Sequence, residues 1–250
     1  EWTARDRASF IAMQKGLQIM PRKARRKVFN DHLSPYGMTS VQAGEVEAVH
    51  ESAVENMLKQ QLVQIEGQAD ILTMGLPYLS PYNVNSILNP ILVMCLGLGY
   101  FFNMYRNKPL VRKDGVIIMT HPTPIEFHPV HHPSYIDFFE QVLPDTTDGH
   151  KIAHKYEKQF AEDEWYRHLY RTSYAYHGVH PLYMWYWGSN AMDHAAKIII
   201  VGGDVKAVRR MGFTPASTMN DALEIASDVV GPQPTITHLH NPPVVMADVI

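Results

Sequence analysis

The 250-residue sequence has a single cysteine, Cys95, set in an apolar run. One thiol excludes an internal disulfide framework and a thiolate-only metal site, and it suits a reducing compartment such as the cytoplasm. Charge is also scarce. Asp, Glu, Lys and Arg make up 19% of the chain, and the net charge is −3 with histidines neutral. That balance gives no electrostatic footprint for nucleic acid or for an anionic membrane surface. The one basic run, "PRKARRK" at 21–27, is short and reads as a solvated helix end. Familiar catalytic signatures are missing as well: no GxGxxG, no Walker lysine, no GxSxG elbow and no HExxH. No secretory leader is visible, and the first residue is Glu, so the chain is expected to be a fragment of a longer protein.

Hydrophobic residues are plentiful, at 46%, enough for a sizeable core. From Ile71 to Tyr105 there is no Asp, Glu, Lys or Arg. The end of this stretch, "SILNPILVMCLGLGYFFNMY" at 86–105, matches the roughly 20 residues that cross a bilayer. Asn85, Asn89 and Pro90 interrupt it, however, and strand-like segments flank it. The reading is a helix buried against a sheet, with no membrane partner.

Periodicity divides the chain into a mostly helical segment, 1–68, and an α/β domain, 69–250. In the first, "TSVQAG" reads as a short strand ending at Gly44. "EVEAVHESAVENMLKQQLVQI" then carries Val46, Val49, Val54, Met57, Leu58 and Leu62 near the 3.6 helical period. In the second, buried strands are expected at 71–74, 116–119 and 198–201, with "YIDFFEQVL" as a short helix. "STMNDALEIASDVVG" is a helix with capping-box spacing at Thr218 and Asp221 and a stop at Gly231. "TITHLH" and "PVVMADV" supply one or two late strands. Alternating strands and helices predict an α/β fold with a mainly parallel sheet and helices on both faces. Ligands bind such sheets beyond the carboxyl ends of their strands, here the loops at 76–85, 121–133 and 202–204.

The second loop holds four histidines: His121, His128, His131 and His132. A metal site needs three or four converging ligands. Glu126 and Asp137 are near in sequence, but Pro122, Pro124, Pro129 and Pro133 are expected to keep the loop extended. His131 and His132 would then point to opposite sides. Lining a substrate pocket and plain surface or capping roles therefore stay open, as does a zinc-dependent hydrolase built on 121–132. "VGGDV" at 201–205 reads as a tight strand-to-helix turn. The aromatic-dense segment 165–187 reads as a helix packed on the sheet or a subunit contact, a possible route to a homo-oligomer.

The order of "VQAGEVEAVHESAV", "ADILTMGLPYLSPYNVNSILNPILV", "PLVRKDGVIIMTHP", "YIDFFEQVL" and "AKIIIVGGDVKAVRRMGFTPASTMNDALEIASDVVG" resembles the C-terminal half of the nickel-dependent lactate racemase family, over roughly 41–250. The resemblance implies a two-domain α/β protein that inverts the α-carbon of small 2-hydroxy acids. It also implies a nickel-pincer nucleotide, tethered by a lysine in an N-terminal domain that would be this chain's partner. None of that cofactor is expected in this fragment alone. In the family the C-terminal half contributes a glutamine and a lysine; at those positions this sequence has Leu88 and Ile91. That departure leaves a non-catalytic binding or assembly module open beside an isomerase. On the enzyme reading, His121 is the catalytic residue, taking the hydroxyl proton. Asn83 and Asn85 hold the carboxylate from the neighbouring strand's loop, and His128, His131 and His132 rim the shared cleft.

Overall fold

The computed structural model describes residues 4–32, 37–78, 88–240 and 246–250. The chain separates into two compact units, Glu1–Gln60 and Gln61–Ile250. The first contains helices α1 (Ala4–Ile19), α2 (Arg22–Asp31) and most of α3 (Val46–Gln61). Neither α2 nor α3 buries a residue. The strand expected to end at Gly44 does not form: residues 39–44 are irregular. A lone extended segment has no ladder to satisfy its amides, and no second strand is described in this unit. Thr39 and Ser40 instead accept hydrogen bonds from Asn56 Nδ2 on α3.

The expected continuation of that helix to Ile65 is also corrected. Helix α3 ends at Gln61, and "LVQI" becomes strand β1 (Leu62–Ile65). It pairs in parallel with the last strand of the chain, Leu62 opposite Met246 and Ile65 opposite Val249. A partner supplied by the distant tail overrides local helical period.

The second unit is built on a five-stranded, all-parallel sheet. Its strands in chain order are β2 (Ala69–Gly75), β3 (Val111–Thr120), β4 (Lys197–Val201), β5 (Thr214–Ala216) and β6 (Ile236–Leu239). The spatial order is β5-β4-β3-β2-β6. The tail strand, β7 (Met246–Val249), belongs with β1 in a separate two-stranded ladder. The three central strands are those the sequence predicts, each beginning one to five residues earlier, and β2 and β3 also running one residue further. The period of two sorts their side chains between two cores. Leu72, Met74, Ile117, Met119, Ile198 and Ile200 enter the larger one. Ile71, Val116, Ile118 and Ile199 enter the smaller one.

The larger core lies under the crossovers that follow β2 and β3. The first is α4 (Pro90–Met94), which widens into π-type turns over Cys95–Phe101. This is the charge-free stretch, and it is buried as expected; Ser86 and Ile87 lie outside the described residues. A Cβ on Gly97 would collide with Met119 Sδ, so glycine lets this helix settle directly on β3. The second crossover begins with α5 (Pro133–Asp137), continued by a π-type turn over Phe138–Val142. It proceeds through α6 (Gly149–Ile152), α7 (Lys158–Glu162) and α8 (Glu164–Thr172) to α9 (His180–His194). Helix α9 carries part of the aromatic segment into the core. Trp185 is fully buried, and its Nε1 donates to the Thr147 carbonyl at 2.8 Å. A short helix, α10 (Val205–Arg210), links β4 to β5.

The smaller core is closed by α11 (Met219–Val230), which buries Ala222 and Ala226. Both halves of the predicted capping box form: Asp221 N donates to Thr218 Oγ1 at 3.1 Å and Thr218 N to Asp221 Oδ2 at 2.9 Å. The helix stops at Gly231, whose φ of +97° suits glycine alone. Thr218→Ala should therefore lower stability by about 1 kcal/mol. An unchanged urea midpoint would show that the cap contributes nothing. Among the described residues no helix is long and apolar enough to cross a membrane.

Candidate functional site at the carboxyl edge of the sheet

The parallel ladder runs one step past its strands. Leu76 N donates to the Thr120 carbonyl at 3.2 Å, and His121 N to the Val201 carbonyl at 3.3 Å. The loops after β2, β3 and β4 are thus held side by side. Asp204 N donates to the Pro122 carbonyl, while the Asp204 side chain caps α10 through Ala207 N. Gly202 has φ of +73°, which makes "VGGDV" the tight turn expected. A Cβ on Gly203 would lie 2.8 Å from Val208 Cγ2, 2.9 Å from Ile200 Cγ2 and 3.3 Å from Thr123 Oγ1, so this glycine lets the turn pack closely.

His121 sits where the sequence places it, one residue past β3, but buried at 4% exposure. Burial holds its pKa down to about 4, against a smaller upward pull from the Pro77 carbonyl. Its Nδ1 accepts a hydrogen bond from Thr123 N at 2.9 Å. Its Nε2 completes none. Thr123 itself is fully buried and has φ of +45°, a costly conformation for a β-branched residue. The Tyr78 ring lies 6.3 Å from the His121 ring. Asn83 and Asn85 lie outside the described residues.

The other three histidines come together away from extended geometry. His132 N donates to the His128 carbonyl at 2.9 Å, which closes a turn. His128 Nδ1 caps that turn by accepting from the amides of Val130 and His131. Prolines fix φ but not ψ, so they did not keep this stretch straight. His131 Nδ1 donates to the Tyr174 carbonyl at 2.9 Å. His132 is fully buried rather than at a rim, stacked on Tyr176 at 5.4 Å, with neither ring nitrogen hydrogen-bonded. Burial first, then the neighbouring His128, His131 and His180, drive its pKa down to about 3. Tyr135 and His180 join the group through a 2.5 Å hydroxyl–Nδ1 hydrogen bond. The partners from the aromatic segment, Tyr174, Tyr176 and His180, were invisible in the loop's own sequence.

Among the described residues, the buried polar side-chain atoms without a hydrogen bond are Asn89 Nδ2, His121 Nε2, both ring nitrogens of His132, and Ser134 Oγ. Every one follows the carboxyl end of β2 or β3 and precedes or opens the next helix. Buried polar groups are nearly always paired, so this cluster of exceptions makes the edge the candidate ligand site. Among the described residues no three His, Cys, Asp or Glu side chains are placed to hold a metal ion. The loops after β2, β3 and β4 contain no lysine to tether a cofactor. Leu88 and Ile91 are fully buried core residues and present nothing to this edge. Among the described residues, these side chains do not form a donor set for the nickel-pincer group.

An all-parallel α/β sheet with its unsatisfied polar groups at the carboxyl edge defines the class. No family model and no curated protein sequence matches the chain. Its fold is similar to that of the lactate racemase apoprotein from Thermoanaerobacterium thermosaccharolyticum, with a TM-score of 0.51 and 17% identity. The likeness covers 82% of this chain and 41% of that protein, so this chain spans about two fifths of the racemase. At that identity it establishes a shared fold.

Proposed function

We propose that this chain is the substrate-facing domain of a lactate-racemase-like racemase or epimerase of small 2-hydroxy acids. In this reading it works in the cytoplasm beside an N-terminal domain that carries the nickel-pincer nucleotide. The observation that carries the reading is the set of buried, unpartnered polar atoms at the sheet's carboxyl edge, the edge such folds use for ligands. The fold likeness supplies the reaction class. When bound, the cofactor would accept and return the α-carbon hydride; this chain's share is to bind and orient the acid through His121 and the loop holding Asn83 and Asn85. His128 and His131, with the buried His132, would shape the wall of the site.

The test uses the native polypeptide that includes this chain. Elemental analysis should find nickel, mass spectrometry a nucleotide adduct, and one enantiomer of lactate or a related acid should racemise. Absence of both nickel and adduct ends the reading.

Leu88 and Ile91 favour a second reading, a binding or assembly module of the same fold without catalysis, because both are locked in the core. Trp165, Tyr170, Tyr174, Tyr183 and Trp187 are exposed large aromatics in one segment and could form its contact. Light scattering at high concentration should then give a dimer or larger; a strict monomer removes the assembly role.

A further inference from the structure

We propose that His121 is a hydrogen-bond donor to a ligand carboxylate, locked in its Nε2–H form by Thr123, and that the Asn89 amide is the second donor of the same site. The inference deepens the carboxyl-edge reading, on which it rests. A main-chain amide can only donate, so Thr123 N makes His121 Nδ1 an acceptor. A neutral ring then carries its proton on Nε2, which completes no hydrogen bond although the Pro77 carbonyl lies near the ring. Such a ring cannot take a proton at Nε2; it offers one. Burial keeps it neutral across the physiological range, since its pKa stands at about 4.

Thr123 is the positioning residue. Its φ of +45° turns the amide back onto the ring two residues earlier, and Oγ1 donates to the His121 carbonyl at 3.1 Å. Strain of this kind persists where surrounding structure enforces it, and it clusters at binding and catalytic sites. Here the support comes from Gly203, where a Cβ would lie 3.3 Å from Oγ1, and from Asp204 N on the Pro122 carbonyl.

Asn89 supplies the complement. Its Oδ1 accepts from Leu92 N and caps α4, which leaves Nδ2 fully buried and unpartnered. Tyr78 links the two donors: its ring lies beside His121, and its carbonyl accepts from Leu88 N, one residue before Asn89. Two orphan donors call for a ligand rich in acceptors and poor in donors. A carboxylate fits; an ammonium or a metal cation does not.

The test takes the whole chain uniformly labelled with 15N. His121 should show a protonated Nε2 and a bare Nδ1 from about pH 6 to 8. Added L-lactate should shift the Nε2–H and Asn89 side-chain signals, and neutral lactamide should do so far less. His121→Gln, which keeps a donor near the Nε2 place, should bind lactate within a few-fold of the parent. His121→Leu should bind about tenfold more weakly. Thr123→Val should let both ring tautomers appear, and Thr123→Ser should restore one. A protonated Nδ1, or His121→Glu binding as well as His121→Gln, overturns the donor role. Correct tautomers with no response to lactate overturn the carboxylate site. Lactate binding without racemisation in the native polypeptide sinks the proposed activity and leaves the donor pair standing.

Discussion

Folding stability should be level above about pH 7 and fall steeply as the pH drops from 6.5 toward 4. His121 and His180 are held at about 4 and His132 at about 3, from an ordinary 6.5, in each case chiefly by burial. Above 6.5 neither folded nor unfolded chain protonates these rings. Below it the unfolded chain takes up protons that the folded chain refuses until its own lower pKa is reached. The unfolded state therefore gains, and stability is lost through that window. For His121 and His132 the loss is on the order of 3 kcal/mol each, a large share of a typical domain's total. Asp70, held near 2 by the Thr235 amide, then by Arg112 and the Thr235 hydroxyl, gives way only below 3.8 and does not shape this window. Urea titrations at half-unit pH steps would measure the effect, and His132→Phe should flatten it. A midpoint that stays constant from pH 7 to 5 would mean these rings are solvated.

How much of this could be read in advance differs from element to element. The strands at 71–74, 116–119 and 198–201 were legible because buried parallel strands are continuous apolar runs. Helix α11 was legible down to its caps, since Thr218, Asp221 and Gly231 act within one turn of the backbone they satisfy. Strand β1 was not, because its identity depends on Met246–Val249 at the other end of the chain. The candidate site shows the same division. The place of His121 follows from the strand before it. Its proton does not, because the donor that fixes it is an amide turned by the positive φ of Thr123, and nothing in "HPT" announces that turn. His132 looked like a rim residue because its cover, Tyr176 and His180, arrives after a long crossover. Asn89 stood in the sequence only as a break in the apolar run; the packing shows one end of its amide capping α4 and the other end buried without a partner.

Ile118→Asp should abolish folding at neutral pH. Strand β3 is the middle strand of five, and Ile118 stands between Thr73 and Ile199 in register. It is fully buried in the smaller core, beneath Ala222 and Ala226 of α11. Among the described residues of this unit α11 packs on this side of the sheet, and the register neighbour Thr73 is polar but uncharged. An aspartate there would be an unpaired charge, or a carboxylic acid held neutral at the expense of a raised pKa. Either form costs on the order of 3–5 kcal/mol before the lost packing of isoleucine is added. Ile118→Val, which removes one methyl group, should cost about 1 kcal/mol and leave the chain folded. Ile136→Asp, at a partly exposed position on α5, should cost far less and leave the chain folded. Circular dichroism and urea unfolding of the three variants would rank them. A folded, cooperative Ile118→Asp chain would place β3 at the surface, and with it His121, Thr123 and the edge assigned here to ligand binding.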